Sequence, residues 1–224
     1  MTAVTFDAGG GQQVSGLLEM PAGARACLVL AHGAGAGMAH PFMVSIAGGL
    51  AARGVATLRY QFPYMERGSR RPDPPRVAEG AVRAAVAEAA RLAPSLALCA
   101  GGKSFGGRMT SQAQAAAPLP GVRGVVFLGF PLHAAGRPTD ERGRHLQDIR
   151  VPMLFLQGRR DKLADPALLA PLVARLHPPA TLRFFDFADH SFHVPAHSGR
   201  TDAEVRAELL DALAGWIETL AAGV

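Results

Sequence analysis

Apolar residues along this chain fall into short unbroken runs, separated by stretches in which they recur every three or four positions. Ala26–Ala31 (ACLVLA), Val55–Arg59 (VATLR), Leu96–Ala100 (LALCA), Val122–Leu128 (VRGVVFL) and Val151–Gln157 (VPMLFLQ) are of the first kind. Runs of this length with no sustained polar face suit strands covered on both sides of a parallel sheet. Thr181–Phe187 (TLRFFDF) predicts one more strand, and Val4–Phe6 with Val14–Met20, around Gly9-Gly10-Gly11, predicts an antiparallel hairpin. Helical spacing fills the gaps. Pro41–Arg53 carries Phe42, Ile46 and Leu50 and stops at Gly54; Val77–Leu92 is alanine-rich and amphipathic. Gly107–Ala117, Pro166–Leu176 and Ala203–Ala222 complete the set, the last with Leu209, Leu213, Trp216 and Leu220 on one face. Strands alternating with helices imply an α/β chain with a mainly parallel, doubly wound sheet and helices on both faces. No repeat, low-complexity tract or linker divides residues 1–224, so one domain is expected.

The chemistry gathers where strands end. After Leu96–Ala100 comes Gly102-Lys103-Ser104-Phe105-Gly106, a G-x-S-x-G on a strand-to-helix corner, the signature of the α/β-hydrolase nucleophile elbow. Such a turn forces the serine into a backbone conformation that non-glycine residues rarely adopt, and glycines two positions away supply the room. It lifts the Ser104 hydroxyl above the sheet edge and leaves the Phe105 N–H where an oxyanion would form. The same letters end in Gly102-Lys103-Ser104, the tail of a P-loop, but that reading needs Leu98 and Cys99 in a loop although they continue an apolar strand.

Other strand ends supply partners. The strand Ala26–Ala31 runs into His32-Gly33-Ala34-Gly35-Ala36-Gly37, where a second oxyanion N–H is expected from Ala34, or else Gly35, with His32 holding the loop. Asp161 follows Val151–Gln157 and His190 follows Thr181–Phe187, giving the chain order Ser…Asp…His. His190 is expected to take the Ser104 proton and Asp161 to orient the imidazole. His193 competes for the base and Asp165 for the acid, while Asp189 reads as a turn residue. Lys103 reads as a brace of the elbow, and Arg108 as one between helix and loop. Gly35, Tyr64, Leu132, His133 and Phe192 are expected to contact substrate. The segment 129–150 sits where a lid would be inserted, and about twenty residues make only a minimal one.

Composition removes several classes. Apolar content of 49% against 18% charged describes a folded globule, and the net charge of +5 comes from scattered arginines without a lysine run or aromatic-interleaved patch. No nucleic-acid role is therefore expected. No stretch approaches the roughly 18 apolar residues of a membrane span, and the first residues lack the charge and apolar core of a signal peptide. Cys27 and Cys99 lie inside apolar strands and read as free thiols. A cytoplasmic protein is expected, acting on a small acyl substrate without metal or cofactor.

HGAGAGMAHPFM, FPYMERG, GGKSFGGRM, GFPLHAAGRP, LFLQGRRD and ADHSFHVP, taken together, resemble the α/β-hydrolase-like family that includes testis-expressed and NSL-complex-subunit-like proteins. That family is similar to the dienelactone-hydrolase group. The resemblance runs from about residue 26 to about residue 194 and implies Ser104 as nucleophile, Asp161 as acid and His190 as base. Dienelactone hydrolases proper use cysteine where this chain has Ser104, so their substrate is not implied. Some members of the family look like scaffold subunits, which keeps a non-catalytic interaction module as the alternative to a serine hydrolase.

Overall fold

The computed structural model describes residues 1–222. Eight strands form one sheet: β1 (Thr2–Asp7), β2 (Gln13–Glu19), β3 (Ala26–Ala31), β4 (Val55–Tyr60), β5 (Ala97–Lys103), β6 (Val122–Leu128), β7 (Met153–Gly158) and β8 (Thr181–Phe185). Their order across the sheet is β1-β2-β4-β3-β5-β6-β7-β8. The first two pairings, β1 with β2 and β2 with β4, are antiparallel; from β4 to β8 every pairing is parallel. This is the expected doubly wound, mainly parallel sheet. The parallel part needs crossovers; helices α1 (Pro41–Ala51), α3 (Pro75–Leu92), α4 (Phe105–Ala116) and α5 (Pro166–Ala174) make all but the one from β6 to β7, with α6 (Asp202–Ala221) closing the chain.

Each strand from β3 to β7 feeds two cores because successive side chains point to opposite faces. In β3, Cys27, Val29 and Ala31 join the core beneath α3, α4 and α5, whereas Ala26, Leu28 and Leu30 join the one beneath α1 and α6. Covering both faces is what makes these strands apolar throughout. Cys27 and Cys99 are free and buried, and burial pushes both thiols up to about 12. No helix among the described residues is long and apolar enough to cross a membrane.

The structure departs from expectation in two places. The loop carrying FPYMERG contains a short helix, α2 (Pro63–Glu66), which Pro63 starts. The 129–150 segment does not project as a lid: it coils into a 3₁₀ helix (Glu141–Asp148) whose Leu146, with Ile149, is buried in the core below α4. Elsewhere β5 stays extended through Lys103, as the apolar run through Leu98 and Cys99 implied, so the backbone loop that a P-loop requires is absent there.

Candidate active site

The elbow is built by close approach. A Cβ at Gly102 would overlap the Ala31 carbonyl oxygen of neighbouring β3, and one at Gly106 would stand 2.5 Å from the same oxygen. Only glycine lets β5 turn into α4 against that wall. Between them Ser104 holds φ 51° and ψ −114°, a strained conformation, and its N–H donates to the Leu128 carbonyl at 3.1 Å. The described residues contain just two other non-glycine residues with positive φ, Phe187 at 61° and Phe192 at 63°, and these bracket His190.

Asp189 builds the turn that presents His190. Its carboxylate accepts from the N–H groups of Ser191 (2.7 Å) and His193 (3.0 Å), and its own N–H donates to the His193 carbonyl. The imidazole then spans two partners: Nε2 lies 2.9 Å from Ser104 Oγ and Nδ1 lies 2.6 Å from Asp161 Oδ2. The carboxylate can only accept, so Nδ1 carries the proton and Nε2 is free to accept the serine hydroxyl. The Asp161 side chain is wholly excluded from solvent and satisfied by two further donors, Gln157 Nε2 at 2.5 Å and the Leu163 N–H at 2.8 Å. Gln157 is itself fixed, its amide oxygen accepting from the Phe130 N–H at 2.8 Å.

Ser104 opens into a cavity of about 570 Å³ walled in part by Ala34, Phe42, Met43, Leu163 and Arg206. Among the described residues the N–H groups of Phe105 and Ala34 meet no acceptor and so remain available. The Gly35 N–H is spent, since it donates to the Tyr64 hydroxyl at 3.1 Å. His32 is buried and held neutral: burial pushes it down to about 4, its Nδ1–H donates to the Gly33 carbonyl, and its Nε2 accepts from Phe62 N–H. It braces the loop as expected.

The expected substrate contacts are corrected. None of Gly35, Tyr64, Leu132, His133 and Phe192 lines the cavity. Tyr64 is fully buried among Phe62, Phe105 and His32, and supports Gly35 from below. Leu132 is core. His133 is buried behind the loop carrying Asp161, where its Nε2 accepts the Asp165 N–H at 2.8 Å and its Nδ1–H donates to the Ala134 carbonyl. Phe192 backs the wall, stacked on Phe42 with centroids 6.0 Å apart. The competitors for base and acid also find other partners. His193 pairs with Asp202 Oδ2 at 2.8 Å, and Asp165 caps α5 by accepting from the Ala167 N–H.

A family model described as the alpha/beta hydrolase domain matches residues 24–218. The chain belongs to that family. Solved structures agree in fold. A dienelactone hydrolase from Anabaena variabilis superposes with a TM-score of 0.79 at 21% identity, over 97% of this chain and 96% of that one. An alpha-beta serine hydrolase homologue from Coxiella burnetii gives 0.75 at 19% identity, over 95% and 96%. A lidless serine hydrolase from Xanthomonas campestris gives 0.73 at 21%, over 96% and 94%. What sequence reasoning missed in this α/β-hydrolase is the support of Asp161, with Gln157 beneath it and His133 behind its loop, whereas Lys103, read as a brace of the elbow, donates to the His190 carbonyl. A glutamine ending an apolar strand was the one visible signal.

Proposed function

We propose that this α/β-hydrolase is a serine hydrolase, residues 1–224 forming one domain, that cleaves an ester or related acyl bond of a small molecule. The observation that carries the reading is the continuous hydrogen-bonded chain from Ser104 through His190 to Asp161, ending at a strained serine on a cavity wall. The resemblance to dienelactone-hydrolase-like and testis-expressed proteins supports the same assignment of roles.

Ser104 Oγ attacks the acyl carbon while its proton passes to His190 Nε2. The carbonyl π pair moves onto oxygen, and that oxyanion accepts from the Phe105 and Ala34 N–H groups; losing one such donor typically costs about 3 kcal/mol. Collapse of the intermediate expels the alcohol or thiol, which takes the proton from Nε2. Water, deprotonated by the same nitrogen, then releases the acid and restores the serine. Asp161 holds the imidazole in the productive tautomer and stabilises its charged form. Every group these steps use belongs to this chain.

Labelling with a fluorophosphonate probe tests the reading. Wild type is expected to react, and Ser104→Ala and His190→Ala to remain unlabelled. A folded wild type that stays unlabelled would remove the serine hydrolase assignment and leave an interaction module as the alternative.

A further inference from the structure

Lys103, the residue before the nucleophile, has no part in those steps and yet lies among the groups that perform them. Its ammonium donates to the main-chain carbonyl of His190 at 2.6 Å, joining positions 87 residues apart. Nζ sits 5.9 Å from the ring centroid of Phe42 and 5.8 Å from that of Phe192, within reach of both π faces. A Cβ at Gly129 would come 3.0 Å from Nζ and 3.4 Å from the His190 ring, so the glycine leaves room for lysine and imidazole side by side. Two consecutive residues of the elbow therefore hold one residue of the base loop at two points. Ser104 meets its ring and Lys103 meets its backbone.

We propose that Lys103 is a positioning residue for the base, gripping the His190 carbonyl so that Nε2 stays within hydrogen-bond reach of the Ser104 hydroxyl. This rests on the serine-hydrolase reading. The loop has reason to need a clamp: Phe187 and Phe192 hold strained positive φ on either side of His190, and neither ring bond of His190 fixes its carbonyl. A charge-assisted donor suits the task better than a neutral one.

The clamp also titrates. Desolvation pushes the Lys103 ammonium down to about 8, opposed by the Asp161 and Asp189 carboxylates. The groups facing it are Asp161 on the loop after β7, with Asp189 and His190 on the loop after β8. From α1 comes the Phe42 ring, with His40 at the cap, and α6 places Asp202 and Arg206 across the cavity. Above about pH 8 the ammonium gives way to an amine that donates more weakly.

The test compares second-order fluorophosphonate labelling rates of wild type, Lys103→Met and Lys103→Arg up to about pH 10. Lys103→Met keeps the apolar stem and is expected to react about tenfold or more slowly at neutral pH, since small misplacements of a base are costly. The wild-type rate is expected to decline above about pH 8, whereas Lys103→Arg, whose guanidinium does not titrate there, holds its rate. A Lys103→Met rate equal to wild type would overturn the proposal alone. If Lys103→Met does not fold, superimposable alkaline profiles for wild type and Lys103→Arg would overturn it. An unlabelled wild type would instead overturn the serine reading, and this inference with it.

Discussion

Ser104 spends stability to present its hydroxyl: φ 51° with ψ −114° is a conformation glycine enters freely and serine does not. Replacing it therefore has two separable effects. Ser104→Ala removes the hydroxyl and keeps the strain, while Ser104→Gly removes both, at the entropic cost of a more flexible unfolded chain. Strain relief of roughly 1–3 kcal/mol against an entropic cost of roughly 0.5–1 kcal/mol leaves Ser104→Gly the more stable. Its thermal midpoint is expected above that of Ser104→Ala, and equal midpoints would mean that the strain relieved is no larger than that entropic cost. Gly102 behaves oppositely. A methyl there meets the Ala31 backbone oxygen, which cannot swing aside as a side chain could. Gly102→Ala is expected to cost on the order of 3 kcal/mol or to prevent folding, read as a lowered midpoint in denaturant. A midpoint within experimental error of wild type would contradict the packing described for the elbow.

The elements act by bringing three strand ends to one edge of the sheet, but the loop carrying His190 has a second anchor in α6. Asp202, at the first turn of that helix, accepts from the Val194 N–H at 2.9 Å and pairs with His193. The hydrogen bond from His193 holds the Asp202 carboxyl below its usual range, and the Asp202 side chain in turn raises His193. A lowered acid contributes stability above its unfolded value that is lost as pH falls through the folded one. A raised histidine contributes stability below its unfolded value that is lost as pH rises through the folded one. The pair is thus fully present between about pH 4 and about pH 6.5. Asp202→Asn keeps an acceptor for Val194 and removes the charge, so the deficit in thermal midpoint is expected to be largest in that window and to shrink above it. A deficit unchanged with pH would assign the helix anchor to hydrogen bonding alone. The pairing was hidden in the sequence, where His193 looked like a competing base.

At the scale of the whole molecule, the sheet was legible because burial on both faces leaves a simple trace: β3 through β7 read as apolar runs. The chain order of Ser104, Asp161 and His190 was legible too, since each lies on the turn or loop after a strand and strand ends share an edge. Cavity contacts were not. Leu132 and His133 lie in a loop and Tyr64 in the single turn of α2, and nothing in spacing tells whether such a side chain turns inward to brace or outward to bind. The 129–150 segment misled in the same way: its place in the chain suggested a small lid, but Leu146 and Ile149 anchor it below α4. None of its residues lines the cavity, so no apolar flap has to move before an acyl group reaches Ser104. Lidded hydrolases gate access by such a motion, and a surface that pulls the lid open raises their rate. Here hydrolysis of p-nitrophenyl butyrate is expected to saturate smoothly as substrate passes its solubility limit, and added detergent micelles are expected to give no activation. An abrupt rise in rate at that limit would mean that a segment closes over Ser104 in solution after all, and the 3₁₀ helix Glu141–Asp148 would be the first place to look for it.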